Sequence, residues 1–163
     1  MTVIVYRAGV MASDGRISED NDIFTNKAQK IFRLSSGALF GMAGDADARE
    51  IVSLFNRLKG KSFPSTKKII ELGKDFTALL ALPDKTLWLI ECGVNSKEDG
   101  ATPYANIIEM KDSFTAVGSG AKYALGAMDR GASAEQAVKT AIKYDNQCGG
   151  AAQVFTLESK DKE

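Results

Sequence analysis

Apolar and polar positions keep a period of about two over the first 42 residues and then switch to helical spacing. The period-two stretches predict strands over Thr2 to Arg7 and Val10 to Ser13, joined at Ala8-Gly9. They continue over Ala28 to Leu34 and Ala38 to Met42, with Ser35-Ser36-Gly37 as the turn, while Glu19-Asp20-Asn21-Asp22 reads as a polar loop. This half is expected to be a β-meander. From Asp45, Ile51, Leu54, Phe55 and Leu58 fall on one helical face and Gly60 is a stop. Pro64-Ser65-Thr66 opens a second helix, whose apolar positions Ile69, Ile70, Leu72, Phe76, Leu79 and Leu80 predict an end near Pro83.

Strand patterns return over Thr86 to Cys92, Tyr104 to Met110 and Phe114 to Val117. Two further helices follow, Lys122 to Arg130 and Ser133 to Tyr144, the second opened by a capping box of Ser133 and Gln136. Ala152 to Leu157 reads as a last strand, and the charged run Glu158 to Glu163 as a frayed tail. Strands, helix pair, strands, helix pair, strand is the order of an α+β protein in which two sheets lie between two helical layers, a four-layer αββα sandwich.

A chain of 163 residues with 44% hydrophobic content is expected to form one domain, residues 1–163, around a sizeable core. Its 21 basic and 21 acidic residues cancel, so no overall field draws it to a nucleic acid or an anionic membrane. No apolar run is long enough to span a bilayer, and the N-terminal residues lack the pattern of a secretory signal, so a cytoplasmic location is expected. Cys92 and Cys148 match no metal-ligand spacing and read as free thiols, and the absence of histidine argues against an all-protein zinc site.

Without histidine, nucleophilic chemistry needs another base. Thr2 offers one: once Met1 is removed, its own α-amine, with an ordinary pKa of about 7.7–8.0, can take the proton from its Oγ. The bland alternative is a common second residue with no such role.

Several ordered fragments accompany Thr2: Ala12-Ser13-Asp14-Gly15-Arg16 closing a hairpin, Lys30-Ile31 in a later strand, and Gly41-Met42-Ala43-Gly44-Asp45 running into a helix. Val117-Gly118-Ser119-Gly120 and Asp145-Asn146-Gln147-Cys148-Gly149-Gly150 complete the set. In this order and spacing the chain resembles the proteasome β-type family of N-terminal-nucleophile hydrolases, and most closely its HslV (ClpQ)-like branch, from Thr2 to about Leu157.

The resemblance implies Thr2 as nucleophile, Asp14 and Lys30 as its charge partners, and Ser119 and Asp145 as support around its amine. A buried ammonium at Lys30 would favour the deprotonated hydroxyl and disfavour a protonated α-amine, and Asp14 would keep that lysine paired. Gly41 is similar to the family glycine whose backbone N–H serves the oxyanion hole. No cofactor is implied for the chemistry. The ion that the resemblance allows is a structural Na+ or Mg2+ on backbone carbonyls of the loop from Asp145 to Ala151, at Asp145, Cys148 and Ala151.

Each residue also has a structural reading. Lys30 suits a solvated strand lysine, Asp14 a turn carboxylate before Gly15, Gly41 a tight strand-to-helix junction, and Ser119 a helix N-cap. In two respects the chain departs from the resemblance: Val3 stands where a second threonine is common, and Glu19, Asp20 and Asp22 make the segment before Lys30 acidic.

The leading expectation is a threonine peptidase subunit, assembled with copies of itself into stacked hexameric or heptameric rings. It would cut unfolded polypeptides supplied by an ATP-dependent unfoldase. The alternatives are a catalytically silent, shell-forming scaffold of the same fold and an amidase for small molecules.

Overall fold

The computed structural model describes residues 2–44, 47–57, 63–97 and 100–158. Strands β1 (Ile4–Arg7) and β2 (Val10–Ser13) form a hairpin whose turn places Ala8 at φ 52° and Gly9 at φ 80°, the left-handed pair that a tight hairpin requires. Next come the short hairpin β3 (Ile17–Glu19) and β4 (Asp22–Thr25), then β5 (Ile31–Arg33) and β6 (Leu39–Gly44). Helices α1 (Arg49–Phe55) and α2 (Thr66–Glu71) lead into β7 (Phe76–Ala81), β8 (Leu87–Lys97) and β9 (Gly100–Met110). The chain then runs through β10 (Phe114–Val117), α3 (Ala121–Asp129), α4 (Ala134–Tyr144) and β11 (Gln153–Thr156).

The strands make a four-stranded sheet in the order β10-β1-β2-β11, a five-stranded sheet β5-β6-β7-β8-β9, and the separate β3-β4 pair. Three buried clusters show how the layers stack. Ile4, Tyr6 and Met11 of the first sheet meet Ile31, Leu39, Leu79 and Ala81 of the second between the sheets. The residues that alternate with them, Val3, Val5 and Ala12, turn outward against Ala124, Met128, Val138 and Ala141 of α3 and α4. On the far side Phe40, Met42, Ala78, Leu80 and Ile90 pack against Ile51, Phe55 and Ile69 of α1 and α2. The architecture is the expected αββα sandwich.

Four local expectations need correction. Residues 2–42 do not form one meander: β1 and β2 belong to one sheet, β5 and β6 to the other. The stretch expected as a polar loop is the turn of the β3-β4 hairpin, with Glu19 opposite Asp22. The second helix ends at Glu71, followed by Gly73 at φ 63°, and Phe76, Leu79 and Leu80 lie in β7. That strand is central and covered on both faces, so its continuous apolar run imitates a buried helix. Finally, β8 and β9 pair beyond the end of β7, from Gly93↔Tyr104 to Lys97↔Gly100, where no apolar periodicity marks them. The capping box at Ser133 and Gln136 is present. Asp45, Leu58, Gly60 and residues 159–163 lie outside the described residues.

Candidate active site

Thr2 stands just ahead of β1, and Asp14 just beyond β2, so the hairpin brings the two side by side. Thr2 Oγ1 donates to Asp14 Oδ1 at 2.5 Å and accepts from Lys30 Nζ at 2.5 Å. Lys30, next to β5 in the other sheet, also donates to Asp14 Oδ1 at 2.9 Å and to the Arg16 carbonyl at 2.5 Å. The three expected partners form one buried group at the junction of the sheets: Thr2 is 3% exposed, Asp14 0% and Lys30 8%. Burial pushes the Lys30 ammonium below its ordinary value, a shift that the Asp14 carboxylate opposes.

Asp14 is more than a counter-ion. Its Oδ1 also accepts the Val3 N–H at 3.1 Å, and its Oδ2 accepts the Arg16 N–H at 3.2 Å and the Gly149 N–H at 3.0 Å. The carboxylate therefore ties the segment carrying Thr2, the loop after β2 and the loop after α4 to a single point.

Ser119 lies at the turn before α3 and does not cap it. Gly120 occupies the cap position with no side-chain bond, and Ser119 Oγ instead donates to the Thr2 carbonyl at 3.4 Å. Gly118, at φ 98°, explains the close approach, since a Cβ there would run into the Thr2 carbonyl oxygen. Asp145 lies against the same Ser119 hydroxyl, whose single proton is shared between the Asp145 carboxylate and the Thr2 carbonyl. Burial would raise its carboxyl, but hydrogen bonds from the Gln147 N–H, Ser119 and Cys148 prevail and hold it below its ordinary value. Cys148 lies against the same carboxylate, Sγ to Oδ2 at 3.5 Å, and burial, then the charges of Asp14 and Asp145, push its thiol up to about 12.

Gly41 is not with this group. It faces the interior between the sheets, where a Cβ would lie 2.5 Å from Ile4 Cγ2 and 2.8 Å from Met11 Sδ. The glycine of the same run that lines the cleft with Thr2 is Gly44, at the end of β6. Of the expected ion ligands, the Asp145 carbonyl accepts the Cys148 N–H at 3.0 Å and so closes a turn. Among the described residues no three His, Cys, Asp or Glu side chains come together as a metal group.

A cleft of about 330 Å³ opens beside Thr2 and Lys30, walled by Ile17, Phe24, Phe32 and Met42. Arg16 stands at its rim, a residue that the sequence reading assigned no role. Its carbonyl receives Lys30, Nε donates to Asn26 Oδ1 at 2.9 Å, and Nη1 donates to the Asn146 carbonyl at 3.0 Å, with the guanidinium lying over Gly149. Its place after Asp14-Gly15 was the available signal.

The two sheets between helical layers, with a threonine at the head of the first strand, define an N-terminal-nucleophile hydrolase fold. Over 96% of its length the chain superposes on 98% of eukaryotic HslV from Trypanosoma brucei, with a TM-score of 0.66 at 17% sequence identity. It is also 32% identical over 139 residues, 77% of this chain and 73% of the relative, to the ATP-dependent protease subunit HslV of Pseudothermotoga lettingae. The chain belongs to the HslV family of proteasome-like proteases. No family model matches it. Among the described residues, no helix is long and apolar enough to cross a membrane.

Proposed function

We propose that this chain is a threonine peptidase subunit in which Thr2, freed by removal of Met1, is the nucleophile. The observation that carries the reading is the buried contact of Thr2 Oγ1 with both Lys30 Nζ and Asp14 Oδ1 at 2.5 Å, at the edge of an open cleft. The free α-amine takes the Oγ proton as Oγ attacks a peptide carbonyl, and returns it to the departing amine as the C–N bond breaks. The acyl ester on Thr2 is then cleaved by water, with the same amine as base. Lys30 holds positive charge against the developing alkoxide. Asp14 holds Lys30, and Ser119, braced by Asp145, fixes the Thr2 carbonyl.

In this mechanism the oxyanion donor is a backbone N–H at the cleft end of β6, at Gly44 rather than Gly41. A Na+ or Mg2+ ion on the carbonyls of Asp145, Cys148 and Ala151 would brace the loop that supplies the Gly149 N–H to Asp14, and would supply no bond-making chemistry.

The chain is then a single-domain, cytoplasmic subunit whose copies close a hexameric or heptameric double ring fed by an unfoldase. The relative's description as ATP-dependent supports such a partner. Intact mass and peptide hydrolysis test the reading together. The protein should lack one methionine, form a large oligomer at micromolar concentration and cleave an unstructured peptide. Thr2→Ala should abolish cleavage with assembly intact, while Thr2→Ser keeps part of it. Retained Met1 with assembled but inert rings would favour the silent shell, and full turnover by Thr2→Ala would remove Thr2 from the mechanism.

A further inference from the structure

The charges around the cleft are not all balanced. Lys30 is paired with Asp14, and Arg16 keeps its charge but is held in place by the neutral oxygens of Asn26 and Asn146. Glu19 is the one carboxylate among the described residues lining the cleft, and no described residue pairs with it. Across the hairpin it faces Asp22, so its nearest strand neighbour adds negative potential. Phe24, 65% exposed, stands in the same cleft with its ring open to solvent.

The geometry sets which part of a substrate would meet this charge. Among the described residues β3 pairs with β4 alone, which leaves its other edge to take an extended peptide as an added strand. The Arg16 carbonyl, one residue before β3, is bonded to Lys30 beside the Thr2 hydroxyl, so β3 runs away from the reacting centre. At about 3.3 Å per residue, Glu19 lies roughly 10 Å along. A peptide paired antiparallel, the stronger arrangement, runs back toward Thr2 and lays its upstream residues beside β3. Side chains on one face recur every second residue, so a peptide with its cleaved residue near Ile17 brings its third upstream residue to Glu19.

We propose, on the basis of the peptidase reading above, that Glu19 is a specificity-determining residue. It selects polypeptide segments with lysine or arginine at the third position upstream of the scissile bond, counting the cleaved residue as the first. The apolar stem of the basic side chain lies along Phe24 and its charged head meets Glu19, while Ile17, Phe32 and Met42 take an apolar side chain at the cut itself.

The test uses three peptides with the same apolar residue at the cut and Lys, Gln or Glu at the third upstream position. Wild type should show kcat/KM for the Lys peptide about fivefold above that for the Glu peptide, the scale of attraction exchanged for repulsion at an exposed site. The ratio should shrink as salt is raised. Glu19→Gln should bring it close to one and Glu19→Lys should invert it. Because the ratio is taken within each variant, any general loss of turnover cancels. A ratio near one in wild type, or one unchanged in Glu19→Lys, overturns the assignment and leaves the peptidase reading standing. No cleavage of any peptide by the Met1-processed protein overturns both.

Discussion

Lys30 Nζ lies 2.9 Å from Asp14 Oδ1, with both side chains out of solvent. The partners are not equivalent, because Asp14 also receives the N–H groups of Val3, Arg16 and Gly149, whereas Lys30 gives its remaining bonds to Thr2 and the Arg16 carbonyl. Asp14→Ala should therefore cost more stability than Lys30→Ala, about 3–5 kcal/mol, since it strands a buried ammonium and three amides. Both should lose peptide hydrolysis. Lys30→Arg should be inactive as well, because a broad planar fork does not fit where a compact ammonium meets three oxygens. Denaturant titration and peptide turnover measure the two effects separately, and near-normal turnover by both Lys30 variants would take that residue out of the site.

Lys30 also sets a pH dependence. Burial lowers its pKa from 10.5, so the native protein gives up this proton at a lower pH than the unfolded chain does. Between the two values the unfolded state binds more protons, and the Lys30 contribution to unfolding free energy rises with pH through that window. Turnover runs the other way, since the charged form is the one that stabilises the alkoxide. The rate should thus fall on the alkaline side before pH 10.5, over an interval in which this group does not weaken the fold. A pH–rate profile set beside stability at the same pH values checks the opposite signs.

Cys148 should be inert in the native protein despite its place behind the nucleophile. With its thiol pushed up to about 12 and 2% exposed, it has almost no thiolate at pH 8 and no access for a reagent. Cys92 is also buried and raised. A thiol-specific chromogenic reagent should detect neither of the two cysteines until denaturant is added. Rapid native labelling of Cys148 would show that the loop after α4 opens.

Two glycines should respond differently to alanine. Gly41→Ala drives a methyl between Ile4 and Met11, and should cost about 1–3 kcal/mol of stability through overpacking between the sheets. Gly118→Ala meets the Thr2 carbonyl at a φ of 98° and so displaces the residue proposed to react. Its turnover should fall far more than its melting temperature. Equal losses of turnover and stability in the two variants would contradict this division.

Much of this protein was legible from local pattern. Period-two strands, helices at 3.6-residue spacing and the capping box at Ser133 follow from which neighbours each residue must satisfy, and they carried the αββα order. Thr2 stood out because chemistry without histidine narrows the choice of base, whereas Asp14 and Lys30 were expected as its partners only through the family resemblance. Tertiary structure decided the rest. β7 read as helix because burial on both faces erases the period that distinguishes a strand. The β3-β4 hairpin read as loop because its residues lie near the surface and need no apolar alternation. Gly41 and Gly44 carry the same residue letter three positions apart, and only the packing of the two sheets shows that one fills the interior while the other faces the cleft. Arg16 acquires its role through a carbonyl that meets Lys30, 14 positions on, and a guanidinium that reaches Asn146, 130 positions away, proximities that chain topology creates and no local sequence pattern encodes.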